Sequence, residues 1–298
     1  MLKFYFDIPN KLNVNEKDEI YETLLYGFIE KDNILIVDDI MLSDYVILHQ
    51  SYFKFNKQII YPNKTIIIDM ADSRDLLTDV KCFLYFKRSC IDKKIFKFIK
   101  YSIDIIPISI PIKKSYIEYL QTINLDNRER KNDICCTHLE IPDNHPCNLN
   151  MYRTKIVRYL KNLEKITSYK FYLGYDKSNI SKARANLDEN YFNTLLNSKI
   201  IITCNPDWWD GDYRLWESLA SGALVICDKM LTPVIHPLEH KKHLIYYDRE
   251  NIEELSSLID YYLENENERL KIAKEGHEYA LKYHKYSDRA NEIINKLK

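Results

Sequence analysis

The sequence is poor in glycine and lacks the common glycine-rich phosphate motifs. Only 5 glycines occur among 298 residues, whereas 24 residues are tyrosine. Neither G-x-G-x-x-G nor G-x-x-x-x-G-K-[ST] is present, which argues against a dinucleotide oxidoreductase and against a P-loop ATPase. With so few glycines, each one more often marks a position where the backbone requires it.

The sequence also lacks long apolar runs and a charge excess, and its cysteines do not indicate a disulfide framework. No apolar run reaches about 18 residues, and the first residues, MLKFYFDIPN, lack the apolar core of an export signal. The 7 cysteines are odd in number, and several lie in apolar runs, which is typical of reduced core thiols. We therefore expect a cytoplasmic protein without a membrane span, with peripheral membrane contact left open. The net charge of −1 argues against a nucleic-acid partner.

The first part of the chain alternates short apolar runs with helical ones, which predicts a parallel sheet covered by helices. A helix is expected over 16–30, where apolar residues recur at helical spacing. The expected strands are Leu2–Phe6, Ile34–Val37, Tyr45–Leu48, Thr65–Ile68 and Cys82–Phe86. Polar residues follow several strand ends, where open α/β sheets bind ligands.

The second part repeats the pattern after Pro107 and Pro111 and the charged run at 124–132 that follows them, where we place the linker between two domains. Strands are expected over 133–137, 169–173, 200–203 and 223–227, and helices over 150–163 and 191–197. Three more helices follow, over 251–263, 268–283 and 288–297. The predicted organisation is a first domain at 1–130, a second at 131–285, and a last helix at 286–298 that packs back across the domain interface.

The stretch Asn205–Asp228 (NPDWWDGDYRLWESLASGALVICD) predicts a loop, a short helix, a tight turn and a buried strand. If the helix begins near Asp212, Arg214 and Glu217 share one stripe, and the apolar residues share another that packs on the sheet. Gly222 then stands where a helix C′ residue belongs.

Two interpretations of the polar stripe follow from its spacing. The loop 208–212 presents backbone N–H groups at a helix start, which suits an anion, and Gly211 allows a phosphate to approach closely. Glu217 would then accept hydrogen bonds from ribose hydroxyls, and Arg214 would bind a diphosphate. An ordinary ion pair between Arg214 and Glu217, worth about 0.2–0.5 kcal/mol, explains the spacing equally well.

The run RLWESLASGALVICD at 214–228 resembles the R-x-[FW]-E-x-[LI]-A-x-G-x-x-[VP] signature of GT-B glycosyltransferases, including the CgeB-like and exostosin-like branches. Further segments resemble the same family in the same order: NTLLNSKIIIT at 193–203, HLIYYDRENIEEL at 243–255 and GHEYALKYHKYSDR at 276–289. The resemblance covers most of the second half of the chain. It implies an α/β fold of the GT-B type, with two Rossmann-like domains whose parallel sheets face a central cleft, and a helical C-terminal tail.

The resemblance also implies roles for individual residues. Glu217 would bind the donor ribose, Arg214 the diphosphate, and Arg153 would be a second phosphate ligand. Thr137 and His138 would lie beside the phosphates, and Gly174 and Tyr175 beside the base. Gly211 and Tyr213, at the helix start, are the other donor-binding candidates.

The implied reaction moves a sugar from a UDP- or GDP-linked donor to a hydroxyl of a glycan or glycoconjugate, without a metal or a cofactor. An inverting enzyme needs a base from the first domain. The candidates are Asp72, Asp69 and His49, with Asp72 preferred, although a helix cap or a solvated acid is an equally good interpretation of Asp72. Trp209 stands eight positions before Glu217, where retaining members often carry Glu, so the stereochemistry stays open.

Other patterns predict different functions. Asp210 and Asp212 form a D-x-D, by which GT-A transferases hold Mn²⁺ or Mg²⁺. The run CCTHLEIPDNHPC at 135–147 contains enough ligands for zinc but lacks C-x2-C spacing. A third hypothesis, motivated by Trp209, is a non-catalytic nucleotide-sugar binding module. The oligomeric state stays open.

Overall fold

The computed structural model describes residues 1–13, 17, 20–54, 58–72, 75–77, 80–89, 104–125, 128–140, 151–174, 188–207 and 211–297. The chain forms two compact units. Unit 1 comprises Met1–Lys114, Leu231–Ile235 and Lys285–Lys298. Unit 2 comprises Ser115–Met230 and His236–His284.

Unit 1 contains a six-stranded sheet in the order β2-β1-β3-β4-β5-β6, and all of its pairings are parallel. The strands are β1 (Leu2–Asp7), β2 (Ile34–Ile36), β3 (Tyr45–His49), β4 (Thr65–Asp69), β5 (Leu84–Lys87) and β6 (Ile105–Pro107). Every residue of β4 is buried, as its continuous run of β-branched residues predicts. Sequence reasoning missed β6, because proline ends it; an edge position, where β6 lies, tolerates proline.

Two helices of unit 1 pack on one face of this sheet, and Tyr52 of a 3₁₀ turn packs on the other face against Val46 and Leu48. A π-helical turn (Tyr21–Leu25) leads into α1 (Tyr26–Ile29), and 3₁₀ turns occur at Ile40–Leu42, Gln50–Lys54 and Pro62–Lys64. The last helix of the chain, α8 (Tyr286–Asn295), packs against α1. Gly27 allows this approach, because a Cβ there would lie 2.8 Å from the backbone oxygen of Tyr286. The shared apolar core includes Phe4, Phe28, Ile66, Phe86 and Ile293.

Unit 2 contains a five-stranded parallel sheet in the order β11-β10-β9-β7-β8. Its strands are β7 (Asn132–Cys136), β8 (Phe171–Leu173), β9 (Ser198–Ile202), β10 (Leu224–Asp228) and β11 (Ile245–Tyr247). From β7 the chain first crosses to β8 on one side and then returns to β9 on the other. The strand order therefore reverses between β7 and β9, the place where open α/β sheets form a ligand crevice.

The helices of unit 2 are α2 (Lys114–Gln121), α3 (Met151–Ile166), α4 (Glu189–Leu196), α5 (Tyr213–Ala220), α6 (Glu254–Glu264) and α7 (Glu266–Tyr283). Helix α7 packs on α5, and at Gly276 it also lies against the segment before β11, where a Cβ would be 2.1 Å from the backbone oxygen of His243. Within the described ranges, no helix combines the length and the apolar composition that a bilayer crossing requires.

Candidate functional site

The carboxyl ends of β7 and β9 are joined by a buried histidine. His138 follows β7, and its Nε2 accepts a hydrogen bond from the backbone N of Cys204 at 3.1 Å. The same nitrogen lies 3.2 Å from Thr203 Oγ1. Because Nε2 is an acceptor, it carries no proton in this arrangement. His138 and the buried Thr137 before it therefore lie at the switch point, at the carboxyl edge of the sheet.

Two arginines converge on one carboxylate near these strand ends. We call Arg153, Asp212 and Arg214 the arginine–aspartate cluster. Oδ2 of Asp212 accepts a hydrogen bond from Nη2 of Arg153 at 2.6 Å and another from Nη1 of Arg214 at 3.1 Å. Nε of Arg153 also donates to the backbone oxygen of Cys204 at 3.0 Å. The cluster thus links α3, the end of β9 and the start of α5.

Asp212 also begins α5, as the sequence predicts. It is the N-cap residue, and its Oδ1 accepts a hydrogen bond from the backbone N of Leu215 at 3.3 Å. The helix ends at Ala220, and Gly222, at C′, has a φ of 70°, the left-handed conformation expected there.

Glu217 lies one turn further along α5 and is buried, with 5% of its surface exposed. Its Oε2 accepts a hydrogen bond from the hydroxyl of Tyr191 on α4 at 2.8 Å. Among the described residues, the ion-pair partner of Arg214 is Asp212. The interpretation of Arg214 and Glu217 as a simple ion pair is therefore wrong, because the N-cap carboxylate lies closer to the guanidinium.

A second network, which sequence reasoning missed, holds the loop after β9. Oδ1 of Asp228, at the end of β10, accepts a hydrogen bond from the backbone N of Asn205 at 2.7 Å. Arg249 forms an ion pair with Oδ2 of Asp228 at 2.9 Å and donates to the backbone oxygen of Asn205 at 2.6 Å. Burial raises the pKa of Asp228, and the charge of Arg249 opposes that rise. In the sequence, the one signal for this network was Asp228, an acid at the end of a predicted buried strand.

Asn205, a member of the same network, accepts a hydrogen bond from a backbone N–H that the sequence assigned to anion binding. The N–H of Gly211 donates to Oδ1 of Asn205 at 2.8 Å, so it is not free for a phosphate as expected. Gly211 has a φ of 70°, which requires glycine. The rest of the expected anion loop, 208–210, lies outside the described residues.

The remaining donor-binding candidates lie around the same crevice or outside the described residues. Gly174 follows β8 with a φ of 83°, and its N donates to the backbone oxygen of Cys136 at 2.8 Å. Tyr213 is the first residue of α5 and is buried. Tyr175 lies outside the described residues.

The two metal-site hypotheses depend partly on Asp210, His145 and Cys147, which lie outside the described residues. Over the part of the chain that the structure describes, no three His, Cys, Asp or Glu side chains are grouped as a metal ion would require. Burial raises the pKa of the Cys136 thiol to about 11, which opposes the thiolate that zinc binds.

The candidate bases lie in unit 1. His49 ends β3, and its Nδ1 accepts a hydrogen bond from the backbone N of Ser51 at 3.3 Å. Burial, assisted by the charge of Lys54, lowers the pKa of His49 to about 3. The imidazole is therefore neutral near pH 7, and its protonated form is strongly disfavoured.

Asp69 and Asp72 differ in accessibility. Asp69, at the end of β4, is buried and accepts hydrogen bonds from the Lys87 ammonium at 3.1 Å and the Tyr85 hydroxyl at 2.7 Å. The side chain of Asp72 is 68% exposed and forms an ion pair with the buried Arg88. Asp72 is thus the acid of this pair that an external hydroxyl can reach.

Comparisons with known proteins identify the fold. A family described as glycosyl transferase-like matches residues 153–295, which include the arginine–aspartate cluster and Glu217. No curated protein matches the sequence. A glycosyltransferase from Rickettsia africae ESF-5 has a similar structure, with a TM-score of 0.54, 14% identity, and coverage of 99% of this chain and 98% of that one.

Two further structures are similar at low identity. One is an alpha-glucosyltransferase in complex with UDP-glucose and DNA containing an abasic site, with a TM-score of 0.52, 11% identity, and coverage of 99% of this chain and 98% of that one. The other is sucrose-phosphate synthase from Thermosynechococcus elongatus, with a TM-score of 0.52, 9% identity, and coverage of 86% and 74%. The CgeB-like or exostosin-like branch stays a prediction. Residues 153–295 thus form a glycosyl transferase-like domain, and the two parallel sheets give the chain the GT-B fold.

Proposed function

We propose that the protein transfers a sugar from a nucleotide diphosphate to a hydroxyl of a glycan-type acceptor, with the donor bound by unit 2 and the acceptor by unit 1. The observation that carries this proposal is the pair of guanidinium groups at the switch point of the unit 2 sheet, with a buried carboxylate one turn further along α5. Guanidinium groups bind phosphates, and a carboxylate accepts hydrogen bonds from sugar hydroxyls.

In this proposal Arg153 and Arg214 bind the diphosphate and Glu217 binds the ribose. Thr137 and His138 border the phosphates. The donor is UDP- or GDP-linked; UDP has the better support, since one structure of similar fold contains UDP-glucose. No cofactor takes part.

The reaction forms a bond between the acceptor oxygen and the anomeric carbon as the bond from that carbon to the diphosphate oxygen breaks. The departing diphosphate gains negative charge, and two guanidinium groups stabilise that charge without a metal ion. The acceptor proton passes to a base. We assign that role to Asp72, because Asp69 is held by two side chains and His49 is buried and weakly basic.

The metal-dependent alternative conflicts with the surroundings of Asp212. Its carboxylate already accepts hydrogen bonds from two guanidinium groups and caps α5. A divalent cation on this carboxylate would lie beside two positive charges, which disfavours its binding.

We place the reaction in the cytoplasm and without a nucleic-acid partner. Support comes from the five cysteines among the described residues, all of them unpaired thiols, and from the net charge of −1.

A nucleotide-sugar panel tests the proposal. Thermal shift first finds the base and the sugar that stabilise the protein, and release of the nucleoside diphosphate is then measured in excess EDTA and with added Mn²⁺. We expect one UDP- or GDP-linked donor to stabilise the protein and to turn over in EDTA. Loss of turnover in EDTA with recovery in Mn²⁺ contradicts the metal-independent mechanism. Binding without turnover on a broad set of acceptors supports the non-catalytic module instead.

A further inference from the structure

The arginine–aspartate cluster contains a carboxylate where a diphosphate oxygen is expected. Oδ2 of Asp212 lies 2.6 Å from one guanidinium nitrogen of Arg153 and 3.1 Å from one of Arg214. Its side chain is only 5% exposed. A single anionic oxygen that bridges two guanidinium groups is the arrangement by which such groups also bind phosphate.

Arg214 retains capacity for a further acceptor. Nε of Arg214 is buried and makes no hydrogen bond with the residues that the structure describes. The side chain of Arg214 is 26% exposed, so part of it is accessible from outside. Each of the two guanidinium groups carries a positive charge that attracts an anion.

A donor and its product differ in charge beside this carboxylate. In a nucleotide sugar, both phosphates are esterified and each carries one negative charge. In the released nucleoside diphosphate the terminal phosphate ionises a second time, with a pKa near 6, and so carries more negative charge at pH 7. A fixed carboxylate beside the diphosphate therefore repels the product more strongly than the donor.

We propose that Asp212 is a built-in anion that weakens binding of the nucleoside diphosphate product more than binding of the nucleotide-sugar donor, and so promotes product release. This inference rests on the proposed function, because it takes the diphosphate to lie at Arg153 and Arg214. It gives Asp212 a positioning and discriminating role in addition to the N-cap that it provides to α5.

The variant Asp212→Asn separates these two roles. Asparagine caps helices as well as aspartate does, so the hydrogen bond to the backbone N of Leu215 is retained while the charge is lost. The matched control is Asp188→Asn at the start of α4, where Asp188 caps through the backbone N of Tyr191 at 3.0 Å. Asp212→Ser, which also caps, repeats the test with a smaller side chain.

The measurement is calorimetric binding of UDP and of UDP-glucose. If the nucleotide-sugar panel identifies a GDP-linked donor, GDP and that donor are used instead. We expect Asp212→Asn to bind the nucleoside diphosphate roughly five- to tenfold more tightly than the wild type, or about 1–1.4 kcal/mol, the repulsion between two like charges about 4 Å apart when water screens them. Binding of the nucleotide sugar should tighten less, and Asp188→Asn should match the wild type. Product inhibition of turnover should increase in the same proportion.

The outcomes separate this inference from the proposed function. Equal or weaker binding of the nucleoside diphosphate by both Asp212 variants, with the wild type still binding, overturns the role of Asp212 alone. Equal tightening for product and donor also overturns it, because the discrimination is then absent. Failure of the wild type and all variants to bind either pair overturns the proposed function, and this inference with it.

Discussion

Replacing Tyr191 with phenylalanine tests whether Glu217 is held in place for a ligand. The substitution removes one hydroxyl, which donates to Oε2 of Glu217 at 2.8 Å. The ring itself stays, so packing between α4 and α5 changes little. Because Glu217 is buried, its carboxylate then loses a donor that solvent replaces poorly.

The size of the effect follows from this one bond. A hydrogen bond to a charged group contributes about 1.5–3 kcal/mol. Tyr191 is half-buried, so water restores part of the loss, and we expect the lower end of that range. If Glu217 binds the ribose, a penalty of about 1.5 kcal/mol weakens nucleoside diphosphate binding roughly tenfold.

Calorimetry with UDP and with 2′-deoxy-UDP provides a specific measurement. The wild type should prefer UDP, because the 2′-hydroxyl has the Glu217 carboxylate as its acceptor. Tyr191→Phe should narrow that preference, and Glu217→Ala should abolish it. Tyr169→Phe is the matched control, since the Tyr169 hydroxyl donates to Asp260 at 2.8 Å on an exposed surface of the same unit.

Two results would refute the reasoning. One is UDP affinity in Tyr191→Phe equal to that of the wild type. The other is an equal loss of affinity in Tyr169→Phe, which would show that removing any tyrosine hydroxyl has the same consequence. A lower melting temperature with unchanged preference for UDP would assign Tyr191 a structural role only.

Three further predictions concern packing, charge and the loop. Gly276→Ala should lower the free energy of unfolding by about 3 kcal/mol or more, because the new Cβ meets backbone at 2.1 Å; a change under about 1 kcal/mol in urea unfolding would contradict this. Burial outweighs the charge of Arg289 and raises the pKa of Glu292 from 4.5 to about 7. Unfolding free energy should therefore fall by about 3 kcal/mol from pH 4.5 to pH 7, relative to Glu292→Gln, and equal pH profiles would refute it. Arg249→Met should increase hydrogen exchange in the loop 203–212, and unchanged exchange there would show that the arginine does not hold it.

Much of the fold follows from local sequence patterns. The apolar runs predicted most of the strands, because strands covered on both faces need continuous apolar residues. The start of α5 at Asp212 and its end before Gly222 also followed from local signals, an acid that caps and a glycine at C′. Two elements at the predicted end of the first domain, β6 and α2, were missed because Pro107 and Pro111 indicated a linker.

The partners of the site residues did not follow from the sequence. Spacing placed Arg214 beside Glu217, but in the structure the arginine forms its ion pair with Asp212 instead. Tyr191 is 26 positions from Glu217, and no periodicity connects the two. Contacts of this kind depend on how strands and helices are assembled, so only the structure reveals them.

The three candidate bases of unit 1, His49, Asp69 and Asp72, show the same limit of prediction from sequence. Strand ends correctly indicated where His49 and Asp69 lie, at the carboxyl edge of the sheet. The sequence did not reveal that Lys87 and Tyr85 bind Asp69, since both belong to the neighbouring strand β5. Accessibility, which separates Asp72 from the other two, depends on tertiary packing in the same way.

The central claim is that unit 2 binds a nucleotide sugar through Glu217 and the two arginines. Release of nucleoside diphosphate from the donor that the panel selects, compared between the wild type and Glu217→Ala, tests it most directly. We predict turnover by the wild type and at least about tenfold lower kcat/KM in Glu217→Ala, with circular dichroism showing both proteins folded. Equal kcat/KM in the two proteins would contradict the claim.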